Sequence, residues 1–237
     1  MGSSTLLLTM NLDSVAGMPC NPSVGGPAKG HLVREIDALG GEMGRNTDRT
    51  FVQIRKLNTG KGPAVQALRA QSDKRLYGIA MKIVLERQKR LDLKQAAVTG
   101  LLWRPISSEG EARWRVDGVV TQLGREIRAR AVIITTGTFL NGMIFVGDVA
   151  YEAGRAGEFA SKGLSEDLAD HGFRVGRLKT GTPPRVDARS IDFSKTDIQP
   201  GSDSPLTFSF DPVADDELMI LDPDPVYPGV DRGGWRV

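Results

Sequence analysis

The spacing of apolar residues along the chain changes several times between strand-like runs and helix-like periods. Residues 5–9 form a short apolar run that is typical of a buried strand. Apolar side chains at three- and four-residue spacing over residues 32–39 predict a helix that ends at the Gly40-Gly41 pair. The first 41 residues are therefore predicted to contain one strand and one amphipathic helix.

A second and longer helix is predicted to begin at Pro63. Proline is favoured in the first turn of a helix, and apolar residues follow at helical spacing as far as Ile83. A shorter helix is predicted beyond Ser161, where Leu164 and Leu168 are four residues apart.

The middle of the chain carries the patterns of further strands. They are predicted over residues 91–95, 98–103, 113–122, 126–136 and 174–178, with a polar turn at residues 107–111. The strand over residues 126–136 ends in an apolar run that meets Thr136 and Gly137. A buried strand that stops at a small glycine-bearing turn is typical of the ligand-binding edge of an α/β sheet.

Strands and helices that alternate in this way predict a doubly wound α/β fold. The chain has 237 residues, of which 40% are hydrophobic and 25% charged, as in an ordinary globular protein. Its apolar runs are too short to span a bilayer, so we expect no membrane segment. The formal net charge of +2 excludes a polycation that coats nucleic acid by charge alone.

Only one cysteine, Cys20, is present, so no disulfide can form within one chain and a reducing compartment such as the cytoplasm is predicted. The two histidines, His31 and His171, are far apart in the sequence, and we expect no zinc site. Cys20 stands beside a glycine-rich turn, Lys29 and a predicted helix start. Lysines and helix N-termini favour a thiolate, which is the reactive form, whereas a lone cysteine elsewhere is usually inert packing.

Four blocks of sequence carry a resemblance to a known family. They are CNPSVGG followed by KGHLVREIDALGG, KGPAV followed by LRAQ, TTGTFLNG, and GRLKTGTPPR. Together they resemble the MnmG/GidA family of FAD-dependent enzymes, which modify the wobble uridine of certain tRNAs. The similarity extends over residues 1–210.

The resemblance implies a partial Rossmann-like FAD-binding domain with an inserted α+β region. The first β-α unit of such a domain carries a G-x-G-x-x-G turn, which this chain lacks. We therefore expect residues 1–210 to form an incomplete dinucleotide-binding domain and residues 211–237 to be an irregular tail rich in proline and aspartate. Relative to the family pattern, the chain is expected to be truncated at both ends.

The resemblance also implies the chemistry. Members of the family add a carboxymethylaminomethyl group at uridine C5, with FAD as cofactor and with NADH and methylenetetrahydrofolate as co-substrates. The implied partners are tRNA and an MnmE-type GTPase, and the implied assembly is a homodimer. Cys20 is the predicted catalytic residue, either as a nucleophile at uracil C6 or as an acid-base group.

Site residues follow from the same resemblance. The predicted FAD contacts are Val98, Thr136, Gly137, Thr138 and Ser161. The predicted substrate contacts are Lys29, Arg69 and Lys179, which would meet phosphate groups. Without the resemblance, a strand valine indicates a core position, a lone serine indicates a turn, and exposed lysines indicate a solvated surface.

Two other functions remain open. A related folate- and FAD-dependent tRNA uridine methyltransferase shares the fold and the one-carbon chemistry, although the KTGTPPR block at residues 179–185 favours MnmG. A catalytically silent fragment is the third alternative, because a parallel sheet without its first strand exposes apolar surface.

Overall fold

The computed structural model describes residues 2–106, 113–204 and 206–211. The predicted polar turn at residues 107–111 lies outside these residues, and so does the predicted tail after its first residue, Asp211.

The described part of the chain contains short strands and helices in alternation. The strands are β1 (Thr5–Thr9), β2 (Ser23–Gly25), β3 (Phe51–Leu57), β4 (Ala67–Ser72), β5 (Leu91–Gln95), β6 (Val98–Ile106), β7 (Arg113–Thr121), β8 (Glu126–Arg128), β9 (Met143–Val146) and β10 (Val149–Glu152). The helices are α1 (Lys29–Ala38), α2 (Met43–Thr50), α3 (Lys74–Arg87) and α4 (Leu164–Asp170). Single 3₁₀ turns occupy Leu12–Ser14, Pro63–Val65, Ala188–Ser190 and Phe193–Lys195.

The chain divides into two compact units. Among the described residues, unit 1 comprises residues 2–13, 90–106 and 113–180, and unit 2 comprises residues 14–89, 181–204 and 206–211. In this described part of the chain, unit 1 contains α4 together with a parallel strand pair and antiparallel strands, and unit 2 contains α1, α2 and α3 together with an antiparallel sheet. This arrangement confirms the predicted α/β class.

Unit 1 is built from a parallel pair, a three-stranded meander and a hairpin. Strands β1 and β5 pair in parallel from Thr5 opposite Leu91 to Thr9 opposite Gln95, which confirms both predicted strands. Strands β6, β7 and β8 form an antiparallel sheet in that order, and β9 pairs with β10.

A carboxylate fastens α4 to the meander of unit 1. Asp167 on α4 accepts hydrogen bonds from the Leu101 backbone N–H at 2.8 Å and from Trp103 Nε1 at 2.9 Å. The His171 ring stacks on Trp103 with 4.1 Å between ring centroids. Because the indole N–H is satisfied by the carboxylate, the apolar part of Trp103 can be covered without stranding a polar group. The predicted helix beyond Ser161 is thereby confirmed.

Unit 2 consists of an antiparallel sheet packed against α1, α2 and α3. The strand order is β2-β4-β3, so β4 is the central strand. The buried apolar cluster of this unit contains Val24, Val33, Ile54, Ala70, Tyr77 and Phe208.

The predicted helix from Pro63 to Ile83 is wrong over its first half. Residues 67–72 form β4, and the helix begins only at Lys74. Asp73 caps it by accepting hydrogen bonds from the backbone N–H groups of Arg75 and Leu76, at 2.9 and 3.0 Å. The spacing of apolar residues over 67–72 is compatible with a helix and with a strand. Residues 67–72 form a strand because they pair with β2 and β3 on either side.

Two predicted strands are also corrected. The strand predicted over residues 126–136 ends at Arg128, and residues 174–178 are not a strand. Ile133 is 87% exposed and Leu178 is 98% exposed. A strand needs a hydrogen-bonded neighbour, and none of the described residues pairs with these segments as a strand does.

Helix α1 confirms the helix predicted over residues 32–39, although its apolar stripe is not buried as a whole. Val33 is buried in the core of unit 2, whereas Leu32, Ile36 and Leu39 are exposed. The helix ends at Ala38, and Gly40 follows two residues later with a φ of +82°, the left-handed conformation in which a glycine stops a helix.

Residues 206–210, called the Phe208 segment below, are irregular in backbone but firmly attached to unit 2. Phe208 is fully buried, and its backbone N–H donates to Asp48 Oδ1 at 2.8 Å. The Ser209 N–H donates to the other oxygen of Asp48, also at 2.8 Å. The Phe210 N–H donates to Asp37 Oδ2 at 2.8 Å. The carboxylates of Asp37 in α1 and Asp48 in α2 thus accept backbone hydrogen bonds that a neighbouring strand would accept in a sheet.

Candidate functional site

Cys20 lies in an irregular loop between the 3₁₀ turn Leu12–Ser14 and strand β2. Pro19 precedes it and Pro22 follows at two residues, and neither proline has a backbone N–H with which to continue a regular structure. The Pro22 carbonyl accepts a hydrogen bond of 2.6 Å from the N–H of Ser72, at the end of β4. The thiol is half-buried and free, so the loop presents a single unbridged sulfur atom.

The segment from Gly181 to Arg185 meets this loop. Cys20 Sγ donates to the Gly181 carbonyl at 3.8 Å. Arg185 Nη2 donates to the Pro19 carbonyl at 2.7 Å and to the Cys20 carbonyl at 2.8 Å. Two blocks that are more than 160 residues apart in the sequence are therefore adjacent at the thiol. Arg185 was not among the predicted site residues, although it closes the GRLKTGTPPR block.

The glycines that follow Cys20 allow close packing of the protein on itself. A Cβ on Gly25 would overlap the Leu68 carbonyl and would lie 2.6 Å from Phe208 Cζ. A Cβ on Gly30 would lie 2.8 Å from the same carbonyl. Gly26 is a turn residue with a φ of +97°. The absence of a side chain at Gly25 and Gly30 therefore lets the start of α1 lie close against β4.

A strained turn connects these glycines to α1. Ala28 has φ +62° and ψ −41°, and the Lys29 N–H donates to the Pro27 carbonyl at 2.8 Å. This is a γ-turn of the rare kind with positive φ, which is strained for a residue with a side chain. The helix start predicted near Cys20 is therefore at Lys29, nine residues further along the chain.

The predicted substrate contacts occupy different surroundings. Lys29 is exposed at the first position of α1 in unit 2. Arg69 lies in β4 of the same unit, where Nη2 donates to Ser23 Oγ at 3.4 Å. Lys179 is exposed in unit 1, two residues before Gly181 in the sequence. Contact of these three residues with a substrate stays a prediction.

The Thr136-Gly137-Thr138 turn lies in unit 1 and does not follow a buried strand as predicted. Gly137 has a φ of +58°, and no other atom lies within 4 Å of the position that a Cβ would take. Thr138 Oγ1 donates to the Gly154 carbonyl at 2.8 Å, and the Phe139 N–H donates to the Thr136 carbonyl at 3.3 Å. The turn is consequently fixed by the hydrogen bond from Thr138, and the space beside Gly137 is empty of other described atoms.

Val98 and Ser161 are the other two predicted cofactor contacts, and both belong to unit 1. Val98 opens β6 opposite Thr121 in β7. The buried Ser161 donates its N–H to the Phe139 carbonyl at 2.8 Å and accepts from the Asn141 N–H at 2.9 Å. The Ser161 backbone is therefore engaged within the unit, and its hydroxyl is the group that remains for a ligand.

Asn141 was not among the predicted site residues, but its side chain has an unusual hydrogen-bond pattern. Its Nδ2 donates to Ser165 Oγ at 2.9 Å and to Glu166 Oε1 at 2.6 Å, and this hydrogen bond lowers the pKa of Glu166. Its Oδ1 is buried, and among the described residues it has no hydrogen-bond partner. A buried acceptor without a donor is uncommon in folded proteins. The TTGTFLNG block contains Asn141, but its unsatisfied oxygen is visible only in the structure.

Residues 2–106, 113–204 and 206–211 contain neither a metal-ligating cluster nor a helix that could span a membrane. No cluster of three or more His, Cys, Asp and Glu side chains there is arranged to hold a metal ion. No helix in the same residues is long and apolar enough to cross a membrane.

Comparison with known proteins gives concordant matches. The family model described as glucose inhibited division protein A matches residues 1–218. A tRNA uridine 5-carboxymethylaminomethyl modification enzyme MnmG from Geobacter metallireducens is 51% identical, with 98% of this chain and 39% of the relative covered. The enzyme of the same name from Bacillus subtilis is 57% identical, with 90% of this chain and 32% of the relative covered.

A solved structure agrees with these relatives. Aquifex aeolicus GidA superimposes with a TM-score of 0.78 at 48% sequence identity, with 87% of this chain and 33% of that chain covered. The chain thus spans about a third of the length of the relatives it matches.

Proposed function

Because this chain belongs to the glucose inhibited division protein A family, we propose that it forms part of a tRNA uridine modification enzyme. The relatives at 51–57% identity carry that activity in their names. The observation that carries the proposal is the contact between the Cys20 loop and the Gly181–Arg185 segment. This contact brings two of the four family blocks together at the single thiol of the chain.

The proposed role of Cys20 follows from the chemistry of uracil. Carbon 5 of the ring is a poor nucleophile, and addition of a thiolate at carbon 6 converts the ring into an enolate that reacts at carbon 5. The thiol has to lose its proton first. The Gly181 carbonyl accepts a hydrogen bond from Sγ and so orients the thiol, but a carbonyl is not a base that removes its proton. An acid-base role for Cys20 remains the alternative within the same proposal.

We also propose that the Thr136–Thr138 turn, Val98 and Ser161 contact FAD. The open space at Gly137 supports close approach of a ligand to the backbone, and the unpaired Oδ1 of Asn141 supports a donor nearby. These groups fit a flavin nucleotide, which has several polar edges. Bound FAD would supply the redox chemistry, with NADH as reductant and methylenetetrahydrofolate as the one-carbon source.

The remaining parts of the proposal concern the substrate and the partners. Lys29 and Lys179 are exposed cations, and Arg69 keeps part of its guanidinium free of Ser23, so all three suit phosphates of tRNA. The MnmE-type GTPase, the homodimer and the cytoplasmic location rest on the family resemblance. So does the incomplete dinucleotide-binding domain at residues 1–210.

Flavin retention tests the cofactor part of the proposal. The purified chain is mixed with FAD and desalted, and its visible absorbance spectrum is recorded. Gly137→Val should abolish the flavin band, because the new side chain fills the open space at the turn. Gly157→Val is the matched control, since Gly157 also has positive φ, at +81°, and open surroundings. It should keep the flavin of the parent chain.

The possible outcomes separate the two candidate functions. A flavin band in the parent and in Gly157→Val, with none in Gly137→Val, supports FAD binding at the turn. A band in all three proteins contradicts this location. A colourless parent chain supports the alternative of a catalytically silent fragment, since the cofactor site is then incomplete in these 237 residues.

A further inference from the structure

Arg185 is the side chain that joins the Cys20 loop to the Gly181–Arg185 segment. A single nitrogen, Nη2, donates to two consecutive carbonyls, those of Pro19 and Cys20, at 2.7 and 2.8 Å. The group that touches Sγ, the Gly181 carbonyl, lies four residues earlier in the same segment. The backbone and the side chain of Cys20 are thus both contacted from one short piece of chain.

The chemical character of these contacts makes them suited to positioning. A guanidinium is planar and permanently charged, and its N–H bonds point in fixed directions. Charge-assisted hydrogen bonds to carbonyls are stronger than neutral ones. The two residues before Arg185, Pro183 and Pro184, have φ fixed by their rings, so the segment itself is stiff.

The loop depends on contacts of this kind because it has little regular structure of its own. On its C-terminal side, the Pro22 carbonyl is bonded to the Ser72 N–H at 2.6 Å. On its N-terminal side, Arg185 holds the carbonyls of Pro19 and Cys20. The backbone of the loop is therefore held by hydrogen bonds both at Cys20 and two residues after it.

We propose that Arg185 is a positioning residue for Cys20, whose guanidinium holds the loop so that the thiol faces the Gly181 carbonyl. The inference rests on the proposed role of Cys20 in the reaction. It makes a separate statement, however, about the conformation of the thiol, which can be measured without cofactor or tRNA.

Thiol alkylation tests this proposal directly, because Cys20 is the single cysteine of the chain and every alkylated thiol reports on it. The rate constant with iodoacetamide is measured at one pH for the parent chain, Arg185→Met, Arg185→Gln and Arg185→Lys. Arg189→Met is the matched control, since Arg189 lies four residues after Arg185 but pairs with Asp187 at 2.6 Å. Circular dichroism and a thermal melt accompany each variant.

Release of the loop should expose a thiol that is now half-buried and hydrogen-bonded. We expect Arg185→Met to react about tenfold faster than the parent, since it loses two charge-assisted hydrogen bonds. Arg185→Gln, which can still donate to one carbonyl, should be intermediate, and Arg185→Lys should approach the parent rate. Arg189→Met should match the parent. Rescue by lysine distinguishes positioning by a cation from a merely structural contribution, which would change the melting temperature and leave the rate unaltered.

Equal rates for folded Arg185→Met and Arg189→Met overturn the proposal. If Arg185→Met does not fold, the alkylation rate constants of Arg185→Gln and Arg189→Gln are compared instead. Equal rate constants for these two variants also overturn the proposal. Flavin plays no part in this readout, so a colourless chain with faster alkylation of Arg185→Met contradicts the cofactor proposal alone. Flavin retention with unchanged alkylation contradicts the positioning role alone.

Discussion

Two irregular apolar segments of this protein differ in burial: one is buried and the other is exposed. In unit 2, the Phe208 segment buries Phe208 completely, and two of its N–H groups are bonded to the carboxylate of Asp48. In unit 1, residues 131–136 carry an equally apolar sequence, yet Ile133 is 87% exposed. The sequence predicted the reverse, a buried strand over residues 126–136 and no particular role for Phe208.

The difference shows that an apolar segment is buried only where its backbone polar groups can be satisfied. An unpaired N–H in a protein interior costs about 1–3 kcal/mol. Asp48 and Asp37 remove that cost for the Phe208 segment by accepting three backbone N–H groups. Among the described residues, no strand offers such partners to residues 131–136. Hydrophobicity supplies the driving force for burial, and hydrogen-bond partners decide whether burial occurs.

The largest expected effect comes from truncation of the buried ring. Phe208→Ala should lower the free energy of unfolding by about 3–5 kcal/mol, because it removes a fully buried aromatic side chain and leaves a cavity. Ile133→Ala is the control from the exposed segment and should change it by less than about 0.5 kcal/mol. Urea titration followed by circular dichroism measures both. Similar losses in the two variants would contradict the contrast between the segments.

The second-largest effect concerns the pH dependence of the hydrogen bonds between Asp48 and the Phe208 segment. Burial raises the pKa of Asp48 to about 6, and the negative charge of Asp37 adds to the rise, whereas the hydrogen bonds from Phe208 and Ser209 and the charge of Arg34 oppose it. The ordinary pKa of an aspartate is 3.8. The folded chain therefore binds this proton more tightly than the unfolded chain does.

The sign of the pH effect follows from this order of the two pKa values. The contribution of Asp48 to stability is fully present below about pH 4, falls as the pH rises, and levels off above about pH 6, with a total change of up to about 3 kcal/mol. Asp48→Asn cannot titrate, so the difference in unfolding free energy between parent and variant should decline over this range. Urea titrations at several pH values measure it. Parallel pH profiles of the unfolding free energy for the parent and Asp48→Asn would contradict the prediction.

The smallest effect is expected at the outer end of the Phe208 segment. The Phe210 ring is exposed and lies 4.9 Å from the guanidinium carbon of Arg34. Phe210→Leu keeps an apolar side chain but loses this cation–π contact, so the free energy of unfolding should fall by about 0.5–1 kcal/mol. Arg34→Met should abolish any further effect of Phe210→Leu in a double-mutant cycle. Additive effects of the two changes would show that the pair does not interact.

Sequence reasoning succeeded where a local pattern had one structural solution. Strands β1 and β5 and helices α1 and α4 were placed with nearly correct bounds, because apolar spacing and the glycine stop at Gly40 act over a few residues. It failed over residues 63–73, where the same spacing suits a helix and a central strand. The two neighbouring strands of β4, which resolved that ambiguity, come from other parts of the chain.

The candidate site divides in the same way. Cys20 and the four blocks could be read directly from the sequence, and the family they indicate is confirmed by the match over residues 1–218. Arg185 and Asn141 were missed although both lie inside quoted blocks. The roles proposed for them depend on two hydrogen bonds, to the carbonyls of Pro19 and Cys20, in one case, and on a buried oxygen without a partner among the described residues in the other. Neither property has a sequence signature.

The amino-acid sequence by itself determined the family, the α/β class and the short elements that form from local spacing and capping. Only the tertiary structure decided that the Gly181–Arg185 segment lies at Cys20, that Phe208 is buried and that Ile133 is exposed. The physical reason is common to all three. Each depends on hydrogen bonds or packing between residues far apart in the chain, and such partners are chosen by the fold rather than by neighbouring residues.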